Sequence, residues 1–422
     1  MNTILKLSLT GILTFSITLL ADEEIKFPKE ANDFSEMFSD AKTSGQIRLG
    51  YGIEKTKEIG KENKSATAVG GQLKFETASL MGISFGAAMY TSHYISELSG
   101  KKNEEVEEQN KFYGEMASEK NSYTEFAEAY VNFSHEGFNF RGGRQLIDTP
   151  LAGSDDIRMT PHTFEAYIAS YRLEDFGFSF MAGNILSWQG VNAKTDSGQS
   201  YANVIENAWQ GTGENGTRMG AITYENDFIE VGAWYYDITK ETKAFYVDTM
   251  GKIKINDVEI AIAAQYMNQK ESDNSGTKGS LMGAMVEAGF YGATAKAAYN
   301  KVSKDDGKVI FEGFCGGSSF TNIDTLTAEE LHADSEYGDG KSYMLGLGYE
   351  IDDFTIFSEY GDYKAKDIGN GKAHVAELNF GVEYKFGDAE LIAIYAIGQD
   401  KEAIEKTEYD NQHFQVVMNY NF

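Results

Sequence analysis

Residues 412–422 read Gln-His-Phe-Gln-Val-Val-Met-Asn-Tyr-Asn-Phe, and their alternation constrains the fold more than any other stretch. Phe414, Val416, Met418, Tyr420 and Phe422 form one apolar row, while His413, Gln415, Asn419 and Asn421 form a polar row opposite, broken only by Val417. A period of two marks a β-strand with one apolar and one wet face. Chain ends ordinarily fray, so a terminal strand that stays apolar up to a final aromatic needs a surface that holds that face. An amphipathic edge strand of a soluble sheet has the same alternation, and the rest of the chain decides between the two.

At the other end, Lys6 precedes the apolar run Leu7–Leu20 and the small residue Ala21, followed by Asp22-Glu23-Glu24. A basic start, a short apolar stretch and a small residue at the cut define a signal peptide. The expected organisation is therefore a signal peptide at 1–21, a short periplasmic lead at 22–42, and one continuous domain at 43–422. No later segment approaches the ~20 consecutive apolar residues of a membrane helix, so membrane insertion has to use strands. The chain has 44 Gly, 25 Tyr and 27 Phe but only three Pro, which suits sheet, because Pro removes a ladder hydrogen bond. The single Cys315 cannot form an intrachain disulfide. Acid exceeds base by 65 to 37, a net charge of −28 that excludes the basic footprint of a nucleic-acid partner.

From Thr43 onward, alternating segments recur. Ile47, Leu49, Tyr51 and Ile53 interleave with Gln46, Arg48, Gly50 and Glu54, and Leu378, Phe380, Val382, Tyr384 and Phe386 interleave with Glu377, Asn379, Glu383 and Lys385. Strand centres are expected near residues 49, 71, 87, 129, 140, 168, 181, 221, 233, 247, 263, 285, 296, 346, 358, 380, 394 and 417, an even total of about eighteen. Numbered from the first strand, the even-to-odd connections are short clusters such as His135-Glu136-Gly137, Asn256-Asp257 and Phe386-Gly387-Asp388, residues that tolerate tight turns. The long stretches, 95–121, 145–161, 188–216 and 303–340, all fall on odd-to-even connections. Loop length sorted by parity is the layout of an all-β transmembrane antiparallel barrel, with short periplasmic turns and long extracellular loops. Aromatics near strand ends (Tyr90 and Tyr94, Trp234 to Tyr236, Tyr360 and Tyr363, Tyr420 with Phe422) are expected to form interfacial girdles.

Residues 138–188 add a more specific pattern: a strand, a Gly-rich exit, a loop holding Pro150, Asp156 and Arg158, and then Pro161, Thr163 and Phe164 opening the next strand. Together with Phe34, Phe38, Gly45 and Arg48 near the start, this resembles the OprD-like (Opr family) porins. The resemblance implies a channel in which 145–161 folds into the lumen and narrows it. Pore-constriction residues would then be Arg141, Arg144, Asp148, Asp155, Asp156 and Arg158. The chain departs from the family in holding only six Arg, which bears against a ladder of basic pore residues and a preference for small carboxylates. Alternation independently puts Arg48, Lys74, Glu128, Arg218, Glu259, Lys296, Glu350, Glu359, Glu377 and Glu383 opposite lipid-facing rows, and hence lining the pore. A charge near the hydrocarbon midplane would cost ~2–4 kcal/mol.

The expected function is an outer-membrane porin, a water-filled channel for passive diffusion of small hydrophilic solutes and ions. Its partners would be outer-membrane lipid and the barrel-assembly machinery, which would read Tyr420 and Phe422 as an assembly signal; a homotrimer is left open. An enzyme is disfavoured, because six His stand without a Gly-x-Ser-x-Gly or His-Glu-x-x-His pattern. The alternative is an adhesin or structural barrel whose acidic loops, such as Glu104, Glu105, Glu107 and Glu108, hold partners or divalent cations. No other cofactor is implied.

Overall fold

The computed structural model describes residues 29–56, 63–95, 123–154, 156, 158–189, 209–314, 319–323, 337–368, 373–402 and 410–422. Expectations that fall elsewhere (the signal peptide, most of 95–121, Cys315 and Asp155) lie outside the described residues.

The chain forms one antiparallel sheet of nineteen strands. They are β1 (Lys42–Thr56), β2 (Lys64–Glu76), β3 (Ile83–Tyr94), β4 (Tyr123–His135) and β5 (Phe138–Gln145). After the first inserted loop come β6 (Thr163–Leu173), β7 (Phe178–Gln189), the two-residue β8 (Gln210–Gly211), β9 (Thr217–Glu225) and β10 (Ile229–Ile238). The run continues with β11 (Thr242–Ile255), β12 (Val258–Glu271), β13 (Gly279–Phe290) and β14 (Ala293–Ser303). A second inserted loop precedes β15 (Gly340–Ile351), β16 (Phe354–Ala365), β17 (Ala373–Phe386), β18 (Ala389–Asp400) and β19 (Asn411–Asn421). β8 pairs only with the end of β7, which otherwise pairs directly with β9, so eighteen strands act as staves. Each expected centre falls inside one stave. β1 pairs with β2 on one side and with β19 on the other, from Gln46 opposite Asn421 to Thr56 opposite Asn411. The sheet is thereby a closed barrel without free edges.

One rim consists of short connections, from two residues at 136–137 to six at 77–82. Several non-glycine residues there hold a left-handed backbone, among them Glu136 (φ 43°), Asn256 (φ 55°) and Asp352 (φ 51°), as primed hairpin turns require. At 136–137, Gly137 takes the second left-handed position (φ 81°). All long connections leave the opposite rim. At the short-turn rim the lead residues contain a helix that the sequence reading treated as plain chain. α1 (Phe34–Ser39) starts where the Asp33 side chain accepts a hydrogen bond from the Glu36 amide, while the Glu36 carboxylate accepts from the Asn32 amide, one residue before the N-cap. It packs Met37 against Ala31 and Ala78.

The two faces of the sheet differ as a membrane requires. On β15 the outward row Tyr343, Leu345, Leu347, Tyr349 and Ile351 is exposed, with Leu347 at 67%, while inward Met344 is fully covered. Leaving such a row in water would forgo roughly 1.5–3 kcal/mol per large side chain; in a bilayer it is the contact surface, and the barrel is transmembrane. The outward aromatics include Tyr167, Tyr171, Tyr235, Tyr343, Tyr349, Tyr360 and Phe386. Tyr90, Trp234, Tyr236 and Tyr363, expected in girdles, instead point inward and are buried, Tyr90 with Ala88 and Ala127 and the other three in clusters that include loop residues. Two bulges adjust the alternation. The register of β3 on β4 skips Ala127, so Phe126 faces outward while Glu128 faces inward. The register of β6 on β7 similarly skips Leu186.

Candidate functional site

The bore is organised by residues 146–162, between β5 and β6. Ile147, Leu151 and Ala152 pack with Trp234, Tyr236 and Tyr246 on the inward faces of β10 and β11. Met159 packs with Ala66, Ala68 and Val417 on β2 and β19. The staves β1 and β11 are half the ring apart, so this loop touches opposite walls and crosses the bore.

Its fastening at the β1 side is ionic. Arg48 Nη1 and Nη2 donate to the Asp156 carboxylate at 2.6 and 2.9 Å, a bidentate pair, and Nη1 also donates to the Arg158 carbonyl at 2.6 Å. Arg48 Nε donates to Asn419 Oδ1 at 2.7 Å, and Arg158 Nη1 to Gln415 Oε1 at 2.8 Å. The loop's inner tip is shaped by Pro150 within a turn in which Thr149 and Ala152 exchange backbone hydrogen bonds. Asp148 accepts from the Ser154 amide at 2.7 Å and from its hydroxyl at 2.5 Å, so it holds the loop's own shape.

A second segment enters the bore, which sequence reasoning had left as an acidic outer loop. Ile310 and Phe314 join the cluster on β10 to β13, while Phe320 and Ile323 pack with Met285, Met344 and Tyr363. Gln269 clamps the segment with both ends of its amide: Nε2 donates to the Phe311 carbonyl at 2.5 Å and Oε1 accepts from the Phe311 amide at 2.8 Å. Tyr363 donates to the Thr321 carbonyl at 2.6 Å. The two inward segments are joined where the Phe314 amide donates to the Leu151 carbonyl at 2.9 Å. The signal was present in the sequence as Val309-Ile310-Phe311 and Phe314, an apolar density that a solvated loop has no use for.

Acids and bases stand in pairs on both walls. On β1 to β5, inward Lys74 lies 3.3 Å from Glu128 and 3.7 Å from Glu76. Tyr90 donates to Glu128 at 2.8 Å, and Tyr130 donates to Glu76. Arg141 lies over the Tyr130 ring at 4.4 Å and its Nε donates to Asn132 at 3.3 Å. Across the bore, carboxylates predominate: Glu230 with Lys252 (2.5 Å), Glu259 with Lys254 (2.7 Å), Glu383 with Lys385 (2.8 Å), and buried Asp248, Glu359 and Glu377. Lys296 and Glu350 also take inward positions, Lys296 beside Glu359 across Gly346.

Two expected site residues belong elsewhere. Arg144 has the outward parity of Phe138 and Phe140, opposite Glu165, and its guanidinium lies over the Trp209 ring at 4.6 Å. Arg218 shares the outward row of Ile222 and is exposed, opposite Asp237. Neither faces the bore. Arg218 is assigned inward from alternation and has the opposite parity, whereas Arg144 is assigned to the constriction from its place at the loop entrance and turns outward at the end of β5.

A closed transmembrane barrel of eighteen staves, with two long-rim segments folded into a charged bore, is a porin-type fold. Among solved structures, OprD/Occ-type channels share this fold. OccAB3 from Acinetobacter baumannii aligns at TM-score 0.74 with 11% identity, covering 91% of this chain and 99% of that one. OccK9 (OpdG) from Pseudomonas aeruginosa aligns at TM-score 0.73 with 13% identity, covering 92% and 99%. OpdK from the same organism, solved with vanillate, aligns at TM-score 0.73 with 14% identity over the same shares. No family model and no curated protein matches the sequence.

Proposed function

We propose that the protein is an outer-membrane porin, a water-filled channel through which small hydrophilic solutes and ions diffuse passively, with residues 146–162 as its constriction. The observation that carries this is the crossing of the bore by one loop fastened to opposite walls, through Arg48–Asp156 on one side and the Leu151–Tyr236 packing on the other. Fixed charges at a narrowing act at close quarters on an ion that is losing water, and so set selectivity. On one side Arg141 carries the positive charge least offset by a neighbouring carboxylate, because Asp156, Glu76 and Glu128 stand beside Arg48 and Lys74, and on the other the carboxylates of β10 to β17 outnumber the lysines. A solute with separated charges would be oriented between them. The final strand, apolar outward up to Tyr420, supports a role for Tyr420 and Phe422 in recognition by the assembly machinery.

Single-channel recording of the purified full-length barrel in a planar bilayer tests this. Discrete ohmic openings are expected in symmetric salt, with a reversal potential under a salt gradient that moves when Asp156 or Arg141 is neutralised. Absence of openings from a folded, heat-modifiable barrel would refute the channel reading.

A further inference from the structure

The outward face near the long-loop rim carries a charge pattern that the bore does not use. Lys301 of β14 lies directly opposite Lys341 of β15, Lys341 opposite Lys364 of β16, and Lys364 opposite His374 of β17. Like charges directly opposed across strands repel. In a chain of net charge −28 such a row is unexpected unless an anion sits among the ammonium groups. The protein supplies little of it. Lys364 is 3.3 Å from Asp362, whose carboxylate is also 2.8 Å from His374 Nε2, and Glu402 lies 3.9 Å from the other His374 nitrogen. Lys301 and Lys341 have no ion pair among the described residues.

The row stands at a defined height on the lipid side. Lys341 continues the outward row of Tyr343, Leu345 and Leu347, and Lys301 continues that of Tyr299. Tyr299 and Tyr343 contact one another just below, with centroids 5.0 Å apart, at the level where amphipathic rings meet headgroups. A hollow of about 290 Å³ opens between Tyr299, Lys301, Asp339, Lys341, Lys364 and Lys366. Its own carboxylate, Asp339, accepts from the Lys304 amide, and Lys366 is drawn to Asp306 at 3.2 Å. At corresponding outward positions on β9 to β12, Arg218, Lys243 and Lys270 continue the basic rim, with Asp237 between the first two.

We propose that this row is a binding site for the phosphate groups of a phosphorylated glycolipid in the outer leaflet. The inference rests on the outer-membrane reading above. Ammonium groups on neighbouring strands, ~4.7–4.9 Å apart, can share the oxygens of one phosphate. The tyrosine pair lies below at the sugar level, and the leucine row lies where acyl chains run. A free phosphate would use the lysines but not the apolar surface beneath them. A second copy of the chain would have to bring a carboxylate patch to the same height, where Asp237 and Asp362 already face basic partners.

The test uses the full barrel in neutral detergent and measures binding of bisphosphorylated lipid A in mixed micelles, its dephosphorylated counterpart, and inorganic phosphate. The wild type should bind the phosphorylated lipid, bind the dephosphorylated one far more weakly, and yield to inorganic phosphate only at much higher concentration. The triple variant Lys301→Gln/Lys341→Gln/Lys364→Gln should bind about a hundredfold more weakly at low salt, roughly fivefold per lysine. The loop-tip control Lys240→Gln/Lys278→Gln should bind as wild type. Heat-modifiable migration and unchanged single-channel conductance of the triple variant keep this result separate from the fate of the channel reading. Equal binding by the triple variant, equal binding of the dephosphorylated lipid, or a loss confined to self-association would each overturn the proposal.

Discussion

Arg48 holds Asp156 in a bidentate pair at 2.6 and 2.9 Å, and this contact joins β1 to the loop that crosses the bore. Arg48 is almost wholly buried, whereas the Asp156 side chain remains 40% exposed, so solvent screening reduces what the pair contributes. Asp156→Asn should loosen the loop by about 1–2 kcal/mol rather than the 3–5 kcal/mol of a fully buried pair. Single-channel current should become noisier, with brief substates of higher conductance, while the barrel melts at nearly the same temperature. A quiet channel of unaltered conductance would mean that the pair does not hold the loop in place.

The second inward segment depends on the Gln269 side chain, which meets both backbone groups of Phe311. Gln269→Ala removes both bonds and leaves a half-buried amide and carbonyl that water reaches only in part, a cost of about 1 kcal/mol for each group. Residues 309–314 should gain hydrogen exchange and the mean conductance should rise. Unchanged exchange across that segment would show that apolar packing of Ile310 and Phe314 alone suffices.

Beyond the strand ends, the hydrogen bond from Lys278 holds the Asp305 carboxyl below its ordinary range. A depressed carboxylate contributes stability above its unfolded value and loses it as pH falls through the folded value. This tie should therefore persist from neutral pH down through the ordinary carboxylate range and release only in stronger acid. Exchange at residues 304–309 should be flat above about pH 5 and rise below about pH 4, and Asp305→Asn should remove the step. A step near neutral pH would assign the effect to other groups.

Barrel closure ends at Phe422, whose amide donates to the Gly45 carbonyl at 3.0 Å while its carbonyl accepts from the Gly45 amide at 2.9 Å. The Phe422 ring also lies over Gly45, where a Cβ would come within 2.5 Å of it. Deleting Phe422 should delay folding in detergent only modestly but reduce outer-membrane accumulation severalfold, as should Tyr420→Asp. Normal levels of heat-modifiable barrel from the truncated gene would remove the terminal residue from the assembly signal.

The eighteen staves were legible because each combines a period of two with turn residues at one end, and loop length sorted by parity checked the count. What escaped the sequence depended on groups far apart in the chain. Trp234 and Tyr236 read as girdle residues until Leu151, some eighty residues earlier, is seen to cover them. Arg144 and Arg218 lie at the rim, where one residue of parity separates bore from lipid and no long apolar row fixes it. The bulge at Ala127 puts Phe126 and Glu128, two residues apart, on opposite faces, which strict alternation does not show. The inward placement of 309–314 and 319–323 is carried by apolar residues within a long loop, 303–340, whose overall polarity masks them.

Selectivity should turn on Arg141 more than on the other cations of its wall. Lys74 faces Glu128 and Glu76, and Arg48 faces Asp156, so each contributes a field largely cancelled nearby. Arg141 has Asn132 and the Tyr130 ring as partners and no carboxylate among the described residues. Its charge therefore extends into the passage with little local compensation, against the carboxylates of the facing wall. Arg141→Gln should raise the cation-to-anion permeability ratio, while Asp156→Asn, which unmasks Arg48, should lower it. Both shifts should be largest in dilute salt, where the Debye length reaches ~30 Å at 0.01 M, and shrink toward 1 M. Reversal potentials in a potassium chloride gradient measure them directly. Shifts of the same sign in the two variants, or none in either, would place the narrowing away from residues 146–162.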